Sequence, residues 1–242
     1  MYLFSTDIDG TIYDGPESAE MFAEYWIGTT ETVLVYNTGR SIDDTLQLIN
    51  STALPTPRYI TGGVGTEIFD CDTGERLDDW KIVLSSGWDF ATVDRLVTGH
   101  DEDIRRQPDE CQNEFKCSWY WEERSTEDID HLTGKIRSEG INAQIVYSSS
   151  RDLDVIPTLA NKGNAVTWLS ERLGIQLSHV IVAGDSGNDS SMFQLEGARG
   201  IIPANAESSL RTAPRKTLTY ESPGFCAAGV IEGLNHFMPT KI

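Results

Sequence analysis

Positive charge is scarce in this chain. Nineteen lysines and arginines stand against 38 aspartates and glutamates, a formal charge of −19 over 242 residues. Nucleic acids and anionic membranes are bound through basic faces, so this balance argues against both as partners. It also opposes anionic substrates, and any phosphate site must supply its own local positive charge. Cysteine is equally sparse. Cys71, Cys111, Cys117 and Cys226 are scattered, with no C-x-x-C pair. That argues against a zinc site and a disulfide framework, and makes a reduced, cytoplasmic protein the expectation. No apolar run approaches the length that spans a bilayer. A strand-like segment begins almost at once, so no secretory signal is expected. Internal repeats and low-complexity linkers are missing too.

What the chain does have is two aspartates one residue apart, Asp7-Ile8-Asp9-Gly10-Thr11, directly after the apolar run Tyr2-Leu3-Phe4. Side chains alternate faces in an extended segment, so Asp7 and Asp9 should start out on one face at the end of the first strand, where Gly10 lets the backbone turn away. Two carboxylates forced together repel unless a cation sits between them. The economical reading is a divalent-metal site with one carboxylate free to attack an electrophile; the bland one is a surface Asp-Gly turn. An EF-hand loop is excluded, because its sixth and twelfth positions, counted from Asp7, hold Ile12 and Ser18.

Buried-type strands alternate with amphipathic helices along most of the chain. Thr32–Tyr36 and His179–Ala183 read as strands, with helices from about Lys162 to Leu173 and from Ala227 to Phe237. Such alternation indicates a parallel sheet covered on both faces. Short strands at Arg58–Thr61 and Thr66–Phe69 flank Gly62-Gly63-Val64-Gly65. A dinucleotide reading of those glycines fails at Ile68, which leaves a tight turn.

Residues 82–157 differ in texture. Phe115, Cys117, Trp119 and Trp121 share one face of an alternating strand, with Lys116, Ser118 and Tyr120 on the other. Ser125 or Thr126 can cap a helix carrying Ile129, Leu132 and Ile136 at the helical period. Asn142–Ser149 and Leu153–Ile156 form an expected hairpin. The fold class is therefore α/β: a Rossmann-like parallel-sheet core, 1–81 and 158–242, with an inserted α+β cap, 82–157.

Three further motifs fall at strand ends or helix starts, where open parallel sheets bind ligands. Thr38-Gly39-Arg40-Ser41 follows the second strand and offers a hydroxyl and helix-start N–H groups to phosphate. Lys162 opens the helix after the insert, where an ammonium can neutralise a transferring phosphoryl group. Gly184-Asp185-Ser186-Gly187-Asn188-Asp189 adds carboxylates to the same sheet edge. Each alone has an ordinary reading as a turn or a solvated lysine; jointly and in this order they point to phosphoryl transfer.

This set resembles the haloacid dehalogenase superfamily, and the place of the insert is similar to its C2-capped subclass IIB. Within that group the pattern is most similar to sucrose-phosphate phosphatases, through stretches that include Val64–Ile68, Gln112–Trp119 and Asn161–Ala165. Departures fall at Gly10-Thr11, often Asn-Thr in the family, and at Glu114, often Pro. The resemblance implies a magnesium-dependent phosphatase acting on a sugar phosphate, with sucrose 6-phosphate first. Other phosphorylated glycosides (mannosylfructose, glucosylglycerol or glycosylglycerate phosphate, all compatible-solute precursors) follow. It implies Asp7 as nucleophile, Asp9 as acid and base, and Thr38, Lys162, Gly10, Gly39 and Asn188 around the phosphate. Mg2+ would be bound by Asp7, the Asp9 backbone carbonyl and Asp185, with Asp189 in the metal shell. Arg40, Gln112, Asn113, Lys116 and Ser118 would meet the sugar, and a functional association with a sugar-phosphate synthase would follow. Two alternatives stay open: a phosphomannomutase-like phosphotransferase, and a receiver-type signalling module.

Overall fold

The runs at 2–6, 32–37 and 180–183 bury residues on both faces, which is what the central strands of a helix-covered parallel sheet require. The computed structural model describes residues 1–148 and 150–238. Its strands are β1 (Tyr2–Thr6), β2 (Thr32–Asn37), β3 (Tyr59–Gly62), β4 (Glu67–Asp70), β5 (Glu75–Arg76), β6 (Arg105–Arg106), β7 (Cys117–Tyr120), β8 (Ala143–Ser148), β9 (Asp152–Pro157), β10 (Val180–Ala183), β11 (Arg199–Ile202) and β12 (Leu218–Glu221). Its helices are α1 (Pro16–Ile27), α2 (Ile42–Ser51), α3 (Asp78–Leu84), α4 (Phe90–Thr98), α5 (Thr126–Ser138), α6 (Lys162–Arg172), α7 (Ser208–Thr212) and α8 (Cys226–Phe237).

Two compact units result, Met1–Arg76 with Asn161–Ile242, and Leu77–Ala160. The first holds the sheet in the order β12-β11-β10-β1-β2-β3-β4-β5. From β12 to β3 all pairings are parallel; β4 and β5 add an antiparallel edge. Phe4, Phe22, Tyr36, Ile181, Ile201 and Val230 belong to one apolar cluster in this unit. Parallel strands put all their carboxyl ends on one edge, so residues following β1, β2 and β10 are neighbours however far apart in sequence. The glycine cluster at 62–65 is a tight turn, with Gly63, Val64 and Gly65 all at positive φ.

The second unit carries an antiparallel sheet, β6-β7-β9-β8, with α4 and α5 packed against it. It begins at Leu77 rather than 82, because α3 folds with it, and ends at Ala160 rather than 157. Ser125 caps α5 through a capping box with Asp128. Cys117, Trp119, Trp121, Leu132 and Ile136 are buried together. The hairpin pairs β8 with β9, and Asp152 lies inside β9 rather than in the turn; Ser149, the expected end of its first strand, lies outside the described residues. The opposite face of β7 departs from the alternation. Ser118 is fully buried. The segment from Gln107 to Asn113 folds over that face: Gln112 Nε2 donates to the Ser118 carbonyl at 2.8 Å, and Ser118 N donates to Gln112 Oε1 at 2.8 Å.

Candidate active site

Asp7 follows β1 directly, and its N–H donates to the Ala183 carbonyl at 3.0 Å, so two adjacent strands fix its backbone. After Asp7 the chain stops being extended. The N–H groups of Thr11, Ile12 and Tyr13 all converge on the Ile8 carbonyl, winding the segment into a tight turn. Period-two alternation therefore ends before it can set Asp9, and the expected shared face is not what the fold builds. Asp7 is buried, whereas the Asp9 side chain is 49% exposed. Each carboxylate has its own cation. Lys162 Nζ lies 2.6 Å from Asp7 Oδ1, and Arg40 makes a fork onto Asp9 at 2.7 and 2.8 Å.

Lys162 is completely buried at the start of α6 and also donates to Asp189 Oδ1 at 2.6 Å. Asn161 caps this helix through Asn164 N. Gly163 lets the helix start press against the Ser191 carbonyl, at a spot where a Cβ would overlap it. That close approach is what delivers the ammonium between the two acids. Burial works against the charge on Lys162, but Asp189 and Asp7 outweigh it and hold its pKa above the ordinary value.

Asp189 is likewise fully buried, and its second oxygen accepts from the N–H groups of Asp185 and Ser186 at 2.9 and 3.0 Å. Both its oxygens are thus engaged. Asp185 is half-buried and accepts from Thr11 Oγ1 at 3.1 Å. Burial, helped by the charge on Asp189, pushes Asp185 up to about 6. Burial likewise pushes Asp7 up to about 7 against the lowering pull of Lys162.

Acidic oxygens of Asp7, Asp185 and Asp189 lie within 4.8 Å of one another. Three carboxylates against one ammonium leave an excess of two negative charges, and hard oxygen donors at that spacing suit a small divalent cation such as Mg2+. Asp7 Oδ2 and Asp185 Oδ2 accept no hydrogen bond among the described residues and could bind it directly; Asp189 could not do so without giving up Lys162 or the loop amides. Gly10 completes the cradle, since a Cβ there would overlap the Asp185 carboxylate.

Thr38 is buried at the end of β2, and its Oγ1 accepts from Arg40 N at 3.2 Å. The Gly10 N–H donates to the Tyr13 carbonyl at 2.9 Å, so it is not open to a phosphate as the sequence suggested. Among the described residues the N–H groups of Ile8, Asp9 and Gly39 carry no hydrogen bond. These are the open donors near Asp7 and Thr38, and the Asp-x-Asp motif conceals two of them because they belong to the backbone. Asn188 is exposed and accepts from Ser186 Oγ at 3.2 Å.

Arg40 is committed to Asp9 and to Asp44 rather than free. In the inserted unit, Ser118 Oγ lies 2.6 Å from Asp154 Oδ1, and Lys116 Nζ lies 3.3 Å from Asp154 Oδ2. Gln112 spends its amide on backbone groups of its own unit. Asn113 Oδ1 accepts from Phe115 N at 2.8 Å. Ser118 and Gln112 were expected to face a sugar; both have their polar atoms engaged within their own unit because the covering loop needs those bonds.

The profile of the sucrose-6F-phosphate phosphohydrolase family matches residues 1–238. The chain belongs to that family. The chain also shares its fold with a haloacid dehalogenase subclass IIB sugar phosphatase, at a TM-score of 0.69 and 15% identity. A mannosylfructose-phosphate phosphatase from Agrobacterium fabrum is 36% identical, covering 97% of this chain and 96% of that protein. Sucrose-phosphatase 1 of Nicotiana tabacum is 31% identical over 96% of this chain, which spans only 58% of the plant protein. Among solved structures, the sucrose-phosphatase of Synechocystis, in complex with sucrose and phosphate, superimposes with a TM-score of 0.86 at 30% identity, covering 98% of this chain and 97% of that one. Membership in this family removes the receiver-type reading. No helix of the described residues is long and apolar enough to cross a membrane.

Proposed function

We propose that this chain is a magnesium-dependent phosphatase of a phosphorylated hexosyl-fructose, sucrose 6-phosphate first and mannosylfructose phosphate second. The observation that carries the reading is Lys162, buried between Asp7 and Asp189 at the strand ends of a chain that matches the family along nearly its whole length. Burying an ammonium with two carboxylates carries a desolvation penalty, and perturbed groups of this kind cluster at functional sites. The two relatives' names differ only in whether the first sugar is glucose or mannose, epimers at one hydroxyl.

In this reading Asp7 attacks phosphorus through a carboxylate oxygen, forming an aspartyl-phosphate as the P–O bond to the sugar breaks. Asp9 gives its proton to the departing sugar oxygen, then takes one from the water that attacks phosphorus and releases inorganic phosphate and free Asp7. Lys162, the Thr38 hydroxyl and the open N–H groups of Ile8, Asp9 and Gly39 hold the phosphoryl oxygens. Mg2+, bound by Asp7 and Asp185 with the Asp9 carbonyl, would offset charge on the transferring group. Asp189 orients Lys162 and the 184–186 backbone, and Asn188 supports that loop. The phosphoryl group passes to water rather than back to sugar, in keeping with the hydrolase names of the relatives.

Arg40, Asn113 and Lys116 are the groups proposed for sugar hydroxyls, Arg40 and Lys116 from within their ion pairs with Asp9 and Asp154. A functional association with the synthase that makes the ester is part of the reading, as is a cytoplasmic location, in keeping with four free cysteines. The test is phosphate release across a panel of sugar phosphates with Mg2+. Hexosyl-fructose phosphates should lead by a wide margin, and a preference for hexose monophosphates would refute the assignment. Lys116→Ala should then cost the disaccharide reaction far more than hydrolysis of p-nitrophenyl phosphate; equal losses would make Lys116 a purely structural partner of Asp154.

A further inference from the structure

Asn205, in the loop after β11, is the residue whose contacts reach furthest into the site without belonging to any of its motifs. Its Nδ2 donates to the Gly10 carbonyl at 2.6 Å, and its Oδ1 accepts from Cys226 N at 2.8 Å. Both ends of this bridge are special positions. Gly10 is at φ 75, directly follows Asp9, and has its N–H tied to Tyr13. Cys226 is a buried non-glycine residue at φ 46, at the first position of α8. Backbone in that region is costly for an ordinary residue and persists only where its surroundings hold it.

The Gly10 carbonyl and the Cys226 N–H face each other across Asn205, whose planar amide offers a donor to one and an acceptor to the other. We infer that Asn205 is a positioning residue that fixes the Gly10 peptide from outside the turn and thereby sets where Asp9 stands when it protonates the departing oxygen. The peptide it grips has three other restraints: the Gly10–Tyr13 bond, the convergence of amides on Ile8, and the bond from Thr11 to Asp185. Of these, the Thr11 N–H bond to Ile8 restrains the same peptide from its nitrogen end, and Asn205 holds its carbonyl end. Without Asn205 the carbonyl end of that peptide loses its partner, and its displacement passes to Asp9 through the Gly10 Cα. Asp7 lies further back, fastened to Ala183.

This inference rests on the phosphatase reading, and specifically on Asp9 as the acid. A group that acts as an acid matters most when the departing oxygen is a poor leaving group. Phenyl phosphate, whose phenol titrates near 10 like a tyrosine, needs that proton more than p-nitrophenyl phosphate, a similar ester of a far more acidic phenol. The ratio kcat/KM reports the steps up to departure of the phenol, before hydrolysis of the aspartyl-phosphate can intervene.

The experiment compares wild type, Asn205→Asp and Asn205→Ala on both esters, with Mg2+ and with thermal melts alongside. The first variant keeps the shape but cannot donate to Gly10; the second adds no charge. In both, kcat/KM on phenyl phosphate should fall roughly 10–100-fold, the scale of a misplaced catalytic group, and on p-nitrophenyl phosphate only a few-fold. Equal losses on the two esters would overturn the inference, as would no loss on either or the failure of both variants to fold. Absence of wild-type activity on both esters and on every sugar phosphate would instead overturn the phosphatase reading itself, so the two failures are told apart.

Discussion

Replacing Lys162 by methionine removes a buried charge while keeping the length and most of the volume of the side chain. In the native site one ammonium serves two carboxylates at 2.6 Å each, and neither Lys162 nor Asp189 reaches solvent. Removing one partner of a buried ion pair costs about 3–5 kcal/mol, because the remaining charge stays buried without compensation. Here two acids lose the same partner, and either can escape part of the cost by taking up a proton. Asp7, already pushed up to about 7, is the first to do so. An unpartnered buried carboxyl titrates above its unfolded value near 3.9, so the folded variant holds a proton that the unfolded chain has released. Stability of Lys162→Met should therefore fall as pH rises. Urea unfolding followed by tryptophan fluorescence, with EDTA, should show a deficit of about 1–2 kcal/mol near pH 5, growing to about 3–5 kcal/mol near pH 8. Magnesium should recover part of it, since a divalent ion can replace the missing ammonium charge. A deficit that is negligible, or the same at both pH values, would refute the reasoning.

Other outcomes follow from the same geometry. Asp7→Asn should abolish turnover while circular dichroism and melting temperature change little, because the amide keeps the shape and loses the nucleophile. Magnesium affinity, followed by calorimetry in metal-free buffer, should strengthen as pH rises through about 6 to about 7, where Asp185 and Asp7 give up their protons. The sign is fixed by linkage: the metal-free fold binds those protons, the metal displaces them, and binding should release protons to the buffer. Gly10→Ala should lose activity and magnesium affinity together, because its Cβ would overlap the Asp185 carboxylate at a positive φ; an intact magnesium isotherm would count against the cradle. In the inserted unit, Leu132→Ala should destabilise by about 2–5 kcal/mol, measured by urea unfolding, as a fully buried leucine lost from a packed core.

The core fold and the chief site residues were legible because a parallel sheet converts sequence order into spatial order. Asp7, Thr38, Lys162 and Asp185 each stand just past a strand or at a helix start, so reading the ends of apolar runs locates them. What was not legible depends on loops. The alternation that put Asp7 and Asp9 on one face holds only while the chain is extended, and three amides converging on Ile8 end it at once. Nothing in Asp-x-Asp signals that Arg40 will claim Asp9, or that Tyr13 will claim the Gly10 N–H. The burial of Ser118 on the polar face of β7 was not legible because its cover, the loop through Gln112, carries no periodic pattern. β11 and β12 are four residues each, too short and too mixed for periodicity to register. Asn205 sits in a segment without any motif, and only its two partners reveal it.

The central claim is that Asp7 carries the phosphoryl group during turnover. An acyl phosphate is reduced by borohydride to the alcohol, whereas a free carboxylate is not, so quenching the enzyme with borohydride during steady turnover of sucrose 6-phosphate marks the residue that was phosphorylated. Mass spectrometry of the peptide spanning Tyr2 to Tyr13 should find Asp7 reduced to homoserine, only with substrate and magnesium present, and not in Asp7→Asn. Turnover without any such mark, or a mark on another carboxylate, would contradict the account.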